Sequence, residues 1–395
     1  MDHFHIATNI YFGERALNSL SELDCKKAFV ITDPFIVESD MIRNITKPLV
    51  KGGIEYELFT DVVPDPPIEN VGAGVAAFSE AGCDCIVAVG GGSAMDVSKS
   101  IRKMVETLNK GVKHIKLICI PTTSGSGSEV TSFSVITDTK AQVKIPLISD
   151  DMSPDEAIID AVLVRSVPAG VTADTGMDVL THAIEAYVSI KHNDFSGALA
   201  ERAVALCGQY LFRSFSDNND TEAREKMHIA ATLAGLAFNS ASLGLNHGMA
   251  HQLGAHFHIP HGRANAILLP HIVEYNTGVA NMQNALNHRD ILDPVVECYC
   301  KIANTLGLSS LNTVMTIHSL INYLKYMGDA MGIPLNLRDI LKDITREEYE
   351  SHIDAMADAA LDDSCTETNP RQPMKQDVIN SFGKLHNRVI NYSLK

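Results

Sequence analysis

The sequence predicts an α/β domain with a largely parallel sheet over residues 1–166, followed by an all-helical domain over residues 167–395. Two observations carry that reading. Up to about Val162, short apolar runs ending in turn or glycine residues alternate with stretches of helical spacing, the pattern of βαβ units. Beyond that point few β-branched runs remain, and long amphipathic or wholly apolar helical stretches dominate. Pro168 and Gly170 in SVPAG mark the break, and a chain of 395 residues is long enough for two domains with cores of their own.

The elements follow in order. Residues 27–33 (KAFVITD) form a short apolar run ending in an acid, as a buried parallel strand does. A helical stretch reaches about Val50, and residues 55–60 can form a second strand. The prolines of VVPDPP (62–67) forbid regular structure there. Helical spacing returns over 69–81, and residues 84–89 are the next buried strand, which runs straight into Gly90-Gly91-Gly92-Ser93. A helix over about 94–108 and a strand over 116–120 follow, and 134–138 with 142–148 read as an appended hairpin. In the second half, the apolar stretch 227–245 is interrupted by Asn239, Ser240 and Ser242 and reads as a buried core helix rather than a membrane span. The patch SDNND (216–220) is a loop between helices.

Composition narrows the function classes. Hydrophobic residues make up 45% and charged residues 20%, as in a globular enzyme. The formal net charge is −16, without a run of Lys or Arg, which argues against nucleic acid or an anionic membrane as partner. The first residues, MDHFHIATNIYFGE, lack the basic region and apolar core of a secretory signal. Eight cysteines are scattered without a CxxC pair, which suits reduced thiols in a cytoplasm.

Two loops suit a nucleotide. A strand, then GGGS, then a helix presents backbone N–H groups and a helix dipole to a phosphate. The pattern is not GxGxxG, and a plain tight turn explains it equally. A second loop, PTTSGSGSE (121–129), also leaves a buried strand and is rich in hydroxyls and glycine. Loops from neighbouring strand ends line the crevice where open α/β sheets bind nucleotides. Asp33 ends an earlier strand, where a carboxylate accepts hydrogen bonds from a ribose diol and repels a 2′-phosphate, favouring NAD over NADP. The alternative for Asp33 is a helix N-cap.

The helical half carries a metal-like constellation. Asp178 and His182 are four apart in TGMDVLTHAIEAY, and His247 and His251 repeat that spacing in NHGMAHQLGAHFHIPHG. Each pair therefore falls on one helix face. His261 follows His247 by fourteen residues, beyond a turn marked by Pro260 and Gly262. A carboxylate with several imidazoles is the donor chemistry of a divalent metal site; the alternative is buried histidines bonded to backbone. HGMAH is not HExxH, because Gly248 stands where a zinc protease needs its general-base Glu. The residues near these histidines, Gly248, Met249, Leu253, Phe257 and Ala264, are small or apolar, which predicts a pocket for an uncharged substrate.

Taken together, GGGSAMDVSK, PTTSGSGSEVT, GMDVLTHAIEAY, NHGMAHQLGAHFHIPHG and LDDSCTETNPR (361–371) closely resemble the iron-containing (group III) alcohol dehydrogenase family, over nearly the whole chain. The resemblance implies a Rossmann-like dinucleotide-binding domain ahead of a helical metal-binding domain of the dehydroquinate synthase-like architecture. It implies that Asp178, His182, His247 and His261 hold the metal, Fe²⁺ in the iron branch, while His251 lies beside the site and serves proton transfer. Imidazoles suit Zn²⁺ as well, but glycerol dehydrogenases of the wider superfamily use zinc with fewer His ligands. Asp33, Gly91, Gly92, Ser93, Thr122, Thr123 and Lys144 are implied around NAD, together with Asp65, Asp96 and Ser126. Three positions depart from the family pattern: Asp65 replaces a frequent Asn, Ser126 a frequent Thr and Ala94 a frequent Pro. The extra carboxylate of Asp65 is expected to weaken cofactor binding.

Within the family the motifs look most like the propanol and ethanol dehydrogenases of propanediol and ethanolamine utilisation. The implied activity is NADH-linked, reversible reduction of propanal or ethanal to the primary alcohol. The alternatives are lactaldehyde, 1,2-propanediol or 1,3-propanediol oxidoreduction, or a non-redox metal lyase like dehydroquinate synthase, which needs a Lys/Arg cluster that the helical half lacks near the ligands. A homodimer or higher homo-oligomer in the cytoplasm is expected, with packaging in a bacterial microcompartment shell as an extension of the same likeness.

Overall fold

A computed structural model of the chain describes residues 3–108, 114–140, 143–279 and 293–386. Two compact units form: Met1–Val167 with Asn219–Asn239, and Pro168–Asn218 with Ser240–Lys395.

The first unit contains β1 (Asn9–Phe12), β2 (Lys27–Ile31), α1 (Pro34–Glu38), α2 (Arg43–Lys51), β3 (Glu55–Phe59), α3 (Ile68–Ala81), β4 (Cys85–Gly90), α4 (Gly92–Leu108), β5 (Lys116–Pro121), β6 (Phe133–Asp138), β7 (Val143–Ile148) and β8 (Glu156–Ile159). A six-stranded sheet runs in the order β1-β8-β5-β4-β2-β3, and every pairing in it is parallel. β6 and β7 make the separate antiparallel hairpin expected from the sequence; Gln142, placed there by that expectation, lies outside the described residues. The inner strands β2, β4, β5 and β8 are buried on both faces, so successive side chains enter two different cores. Phe29, Ile31, Ile86 and Ala88 pack with residues of α3 and α4, while Ala28, Val30, Val87 and Val89 pack with Ile45 and Leu49 of α2.

The structure differs from the sequence reading at identifiable points. β1 and β8 carry no sequence signal beyond four residues each, yet β8 is inserted between β5 and β1. The stretch before Val50 is two helices, broken where Asp40 takes a left-handed φ of 63°.

Long helices follow: α5 (Ala169–Val188), α6 (Asp194–Ser216), α7 (Thr221–Ala241), α8 (Leu245–Phe257), α9 (His261–Thr277), α10 (Pro294–Thr305), α11 (Thr313–Ala330), α12 (Arg346–Asp362) and α13 (Lys375–Leu385). The apolar run 227–245 is not one helix, because α7 ends at Ala241 and Ser242 adopts φ 61° before α8 begins. Residues 219–239, which hold most of α7 and which the sequence reading groups with the helical half, pack into the first unit. Thr232 donates to Glu129 at 2.7 Å, and Asn239 accepts from the Ser132 N–H at 2.8 Å. Contact there is backbone to backbone: a Cβ on Gly127, whose φ is 66°, would come within 2.7 Å of the Gly235 Cα. In the second unit α5 packs against α6 and α9, and α8 against α9 and α12. Among the described residues no single helix is long and apolar enough to cross a membrane.

Candidate metal centre and nucleotide loops

Helix α5 presents one buried polar stripe. Asp178, His182 and Glu185 recur at i, i+4 and i+7, two helical turns on one face, and their side chains are 8%, 6% and 3% exposed. His247 lies in the first turn of α8 and His261 is the first residue of α9. The intervening turn is tight, with His258 at φ 53°. Gly262 lets the start of α9 close onto α5, since a Cβ there would fall 2.1 Å from the Asp174 carbonyl oxygen.

These elements bring one ligand atom each from Asp178, His182, His247 and His261 within 4.8 Å of one another. From the Asp178 carboxylate, the Nε2 atoms of His182, His247 and His261 are 4.0, 3.8 and 3.6 Å away. Those separations are too long for hydrogen bonds. They approach the ~3.4 Å spacing of neighbouring ligands held at about 2.1 Å around one tetrahedral ion. A carboxylate and three imidazoles with this convergence fit a divalent cation. The group is enclosed by α5 and α8 and opens at His261, whose side chain is 44% exposed.

Two residues that the sequence reading did not single out complete the cluster. The Glu185 carboxylate meets His247 Nδ1 and accepts the Asn246 N–H at 2.8 Å. Burial pushes the Glu185 carboxyl up to about 8, and burial with the neighbouring imidazoles holds His247 well below the usual histidine range. Asn265 Nδ2 lies 2.7 Å from Asp178 Oδ1, 3.1 Å from His247 Nε2 and 3.2 Å from His261 Nε2. An amide nitrogen only donates and carries two hydrogens; with one taken by Asp178, the other goes to the nearer imidazole, His247, whose Nε2 accepts it. The signal for Glu185 was present in the sequence as a third step along the Asp178 stripe. Asn265 is one turn after His261 and carried no comparable mark.

His251 stands beside this group but outside it. Its ring stacks on His261 at 5.4 Å between centroids, and its Nδ1 is 2.7 Å from Asp363 Oδ2. Burial works to raise the Asp363 carboxyl, but the bonds from His251 and Cys365 outweigh it and hold the group below the usual carboxylate range. Met249, Leu253 and Ala264 are fully buried and Gly248 is pressed against Thr366 and Ala360. They build the core of the second unit, a correction to the sequence expectation that they line a pocket. Arg263 is ion-paired with Asp174 at 3.1 Å.

In the first unit the two glycine-containing loops leave adjacent strands, with Gly90 paired to Pro121 and the Thr122 N–H donating to the Gly90 carbonyl at 2.9 Å. Helix α4 starts at Gly92, directly after Gly91. Side chains on Gly91 and Gly92 would meet Thr123 and Ser126 of the second loop at 3.5 and 3.3 Å. Asp33 caps α1, accepting the Ile36 N–H at 3.2 Å, while its other oxygen faces the Gly90 turn. Both sequence readings of Asp33 are thus compatible with one side chain. Asp96 is tied inward: it accepts the Ser128 hydroxyl at 3.0 Å and the Val135 N–H at 3.1 Å, and burial pushes its carboxyl up to about 6. Lys144 donates to Asp65 at 2.6 Å, and both side chains are exposed. All eight cysteines are free thiols.

Comparison with known proteins agrees with this geometry. Residues 7–161 match the family described as iron-containing alcohol dehydrogenase, and residues 172–385 match the C-terminal domain of the Fe-containing alcohol dehydrogenase family. The chain is 37% identical to an NADPH-dependent butanol dehydrogenase of Clostridium saccharobutylicum, covering 97% of each. It is 39% identical to a 1-propanol dehydrogenase of Citrobacter freundii, covering 94% of this chain and 96% of that one. The structure of a 1,3-propanediol oxidoreductase superposes with a TM-score of 0.88 at 33% identity, covering 98% of this chain and all (100%) of the other.

Proposed function

This chain belongs to the iron-containing alcohol dehydrogenase family, and from that premise we propose that it reduces short, uncharged aldehydes to primary alcohols with NADH, reversibly. Asp178, His182, His247 and His261 would hold Fe²⁺, so that the first unit would bind the dinucleotide and the second the metal. The observation behind the reading is the convergence of those four donor atoms within 4.8 Å in a mostly buried site. When bound, the metal supplies Lewis acidity toward the substrate oxygen during hydride transfer. Asp178 would offset part of the metal's charge, and three neutral imidazoles would leave the rest uncompensated. His251 exchanges the alcohol proton, with Asp363 holding its Nδ1. Gly91, Gly92, Ser93, Thr122, Thr123 and Ser126 approach the pyrophosphate, and Asp96 braces the two loops through Ser128. Self-association is part of the proposal, supported by edge strand β1 with its 69% exposed Phe12. So are a cytoplasmic location and packaging in a microcompartment.

Two expectations test this reading. Asp33 faces the Gly90 turn and would repel a 2′-phosphate, so NADH should be preferred to NADPH and Asp33→Gly should narrow the gap by about tenfold or more. Equal kcat/KM with both cofactors in the unaltered enzyme would count against placing Asp33 at the ribose. Lys144 is neutralised by Asp65 and offers the cofactor less charge than its position suggests.

The substrate expectation follows from charge. Arg263, the basic residue nearest the ligands in sequence, is already paired with Asp174, which leaves a buried carboxylate substrate costly to accommodate. Propanal and ethanal should be turned over within roughly two orders of magnitude of each other. NADH oxidation by anaerobically prepared, iron-loaded enzyme is measured with propanal, ethanal, lactaldehyde and succinic semialdehyde. The highest kcat/KM for the charged aldehyde would refute the proposed specificity.

A further inference from the structure

We propose that Glu185 is a positioning residue: through His247 Nδ1 it fixes the imidazole tautomer that lets the four-residue donor group hold its cation. The inference rests on the metal reading of that group. Burying a carboxylate is unfavourable unless it is well bonded. Glu185 is 3% exposed, and its oxygens meet two groups of the same turn, the Asn246 N–H at 2.8 Å and His247 Nδ1. A carboxyl oxygen that accepts from Nδ1 leaves the hydrogen on Nδ1, so that Nε2 presents its lone pair. A separate observation demands the same tautomer from the opposite side of the ring. Asn246 Nδ2 donates to Asn265 Oδ1 at 2.9 Å, which turns the Asn265 amide nitrogen toward His247 Nε2 at 3.1 Å. A donor there requires an accepting Nε2. Carboxylate–histidine–metal chains of this kind raise ligand basicity and fix ring orientation.

The arrangement makes Glu185→Gln informative despite its nearly unchanged volume. If the oxygen nearest Asn246 keeps its backbone bond, the new amide NH₂ falls against His247 Nδ1. A donor at that place drives the ring hydrogen onto Nε2, where it blocks the ligand position. Co²⁺ affinity of the metal-free protein is measured by chelator competition and visible d–d absorption, for the parent, Glu185→Gln, His247→Ala and the double variant. Melting of each metal-free form is recorded alongside.

Glu185→Gln should weaken Co²⁺ binding about 10- to 100-fold with metal-free melting close to the parent. The double variant should bind no more weakly than His247→Ala. Parent-like Co²⁺ affinity in Glu185→Gln would overturn the proposal, and so would additive losses in the double variant. If the parent itself failed to bind Co²⁺, the metal reading would fall, a result distinct from either of those. Should Glu185→Gln not fold, ¹⁵N shifts of His247 in the metal-free parent decide the matter. A hydrogen on Nδ1 is expected, and one on Nε2 overturns the proposal.

Discussion

His261→Ala should strip the protein of most of its metal and lower kcat by roughly 10³-fold or more. Lewis-acid stabilisation is worth several kcal/mol, and each ~1.4 kcal/mol is a factor of ten in rate. His261 is the member of the donor group best suited to this test. Its side chain is 44% exposed and it opens a helix rather than sitting within one, so truncation should leave no core cavity. Asp178, His182 and His247 are buried, and their replacement would mix loss of ligand with loss of packing. The check is metal content per chain by elemental analysis, beside NADH affinity. Occupancy should collapse while NADH still binds, because the dinucleotide loops belong to the other unit. Full and tight occupancy in His261→Ala would remove that residue from the ligand set.

His251→Asn should show the complementary pattern, with metal retained and kcat lowered by about 10²- to 10⁴-fold, the usual contribution of a positioned proton-transfer group. The structure separates the two roles. His251 shares a helix face with His247 and stacks on His261, but its Nδ1 is taken by Asp363 at 2.7 Å. Asp363→Asn should produce a smaller loss of the same kind, since an amide can still accept from Nδ1 but holds the ring less firmly. Loss of metal from His251→Asn would place His251 among the ligands instead.

Local pattern and chemistry determined much of this protein from its sequence. The central parallel strands were legible as β-branched runs ending in turns, because a strand buried on both faces needs no partner to reveal itself. The glycine loop and the hydroxyl-rich loop were legible because each directly follows such a strand. Asp178 with His182, and His247 with His251, were legible because helical geometry alone puts i and i+4 on one face. Tertiary structure decided the remainder. Strands β1 and β8 are four residues long, too short to show a period, and exist only through pairing across the sheet. Most of helix α7 packs in the first unit because Gly127 and Gly235 permit backbone contact, a condition set by residues far apart in the chain. Identical i, i+4 spacing could not distinguish His247 from His251: the first meets Glu185 and the donor group, the second meets Asp363, 112 residues away. Sequence supplies the imidazoles, but which nitrogen carries the hydrogen, and what the other one faces, is fixed by buried partners that only the folded chain brings together.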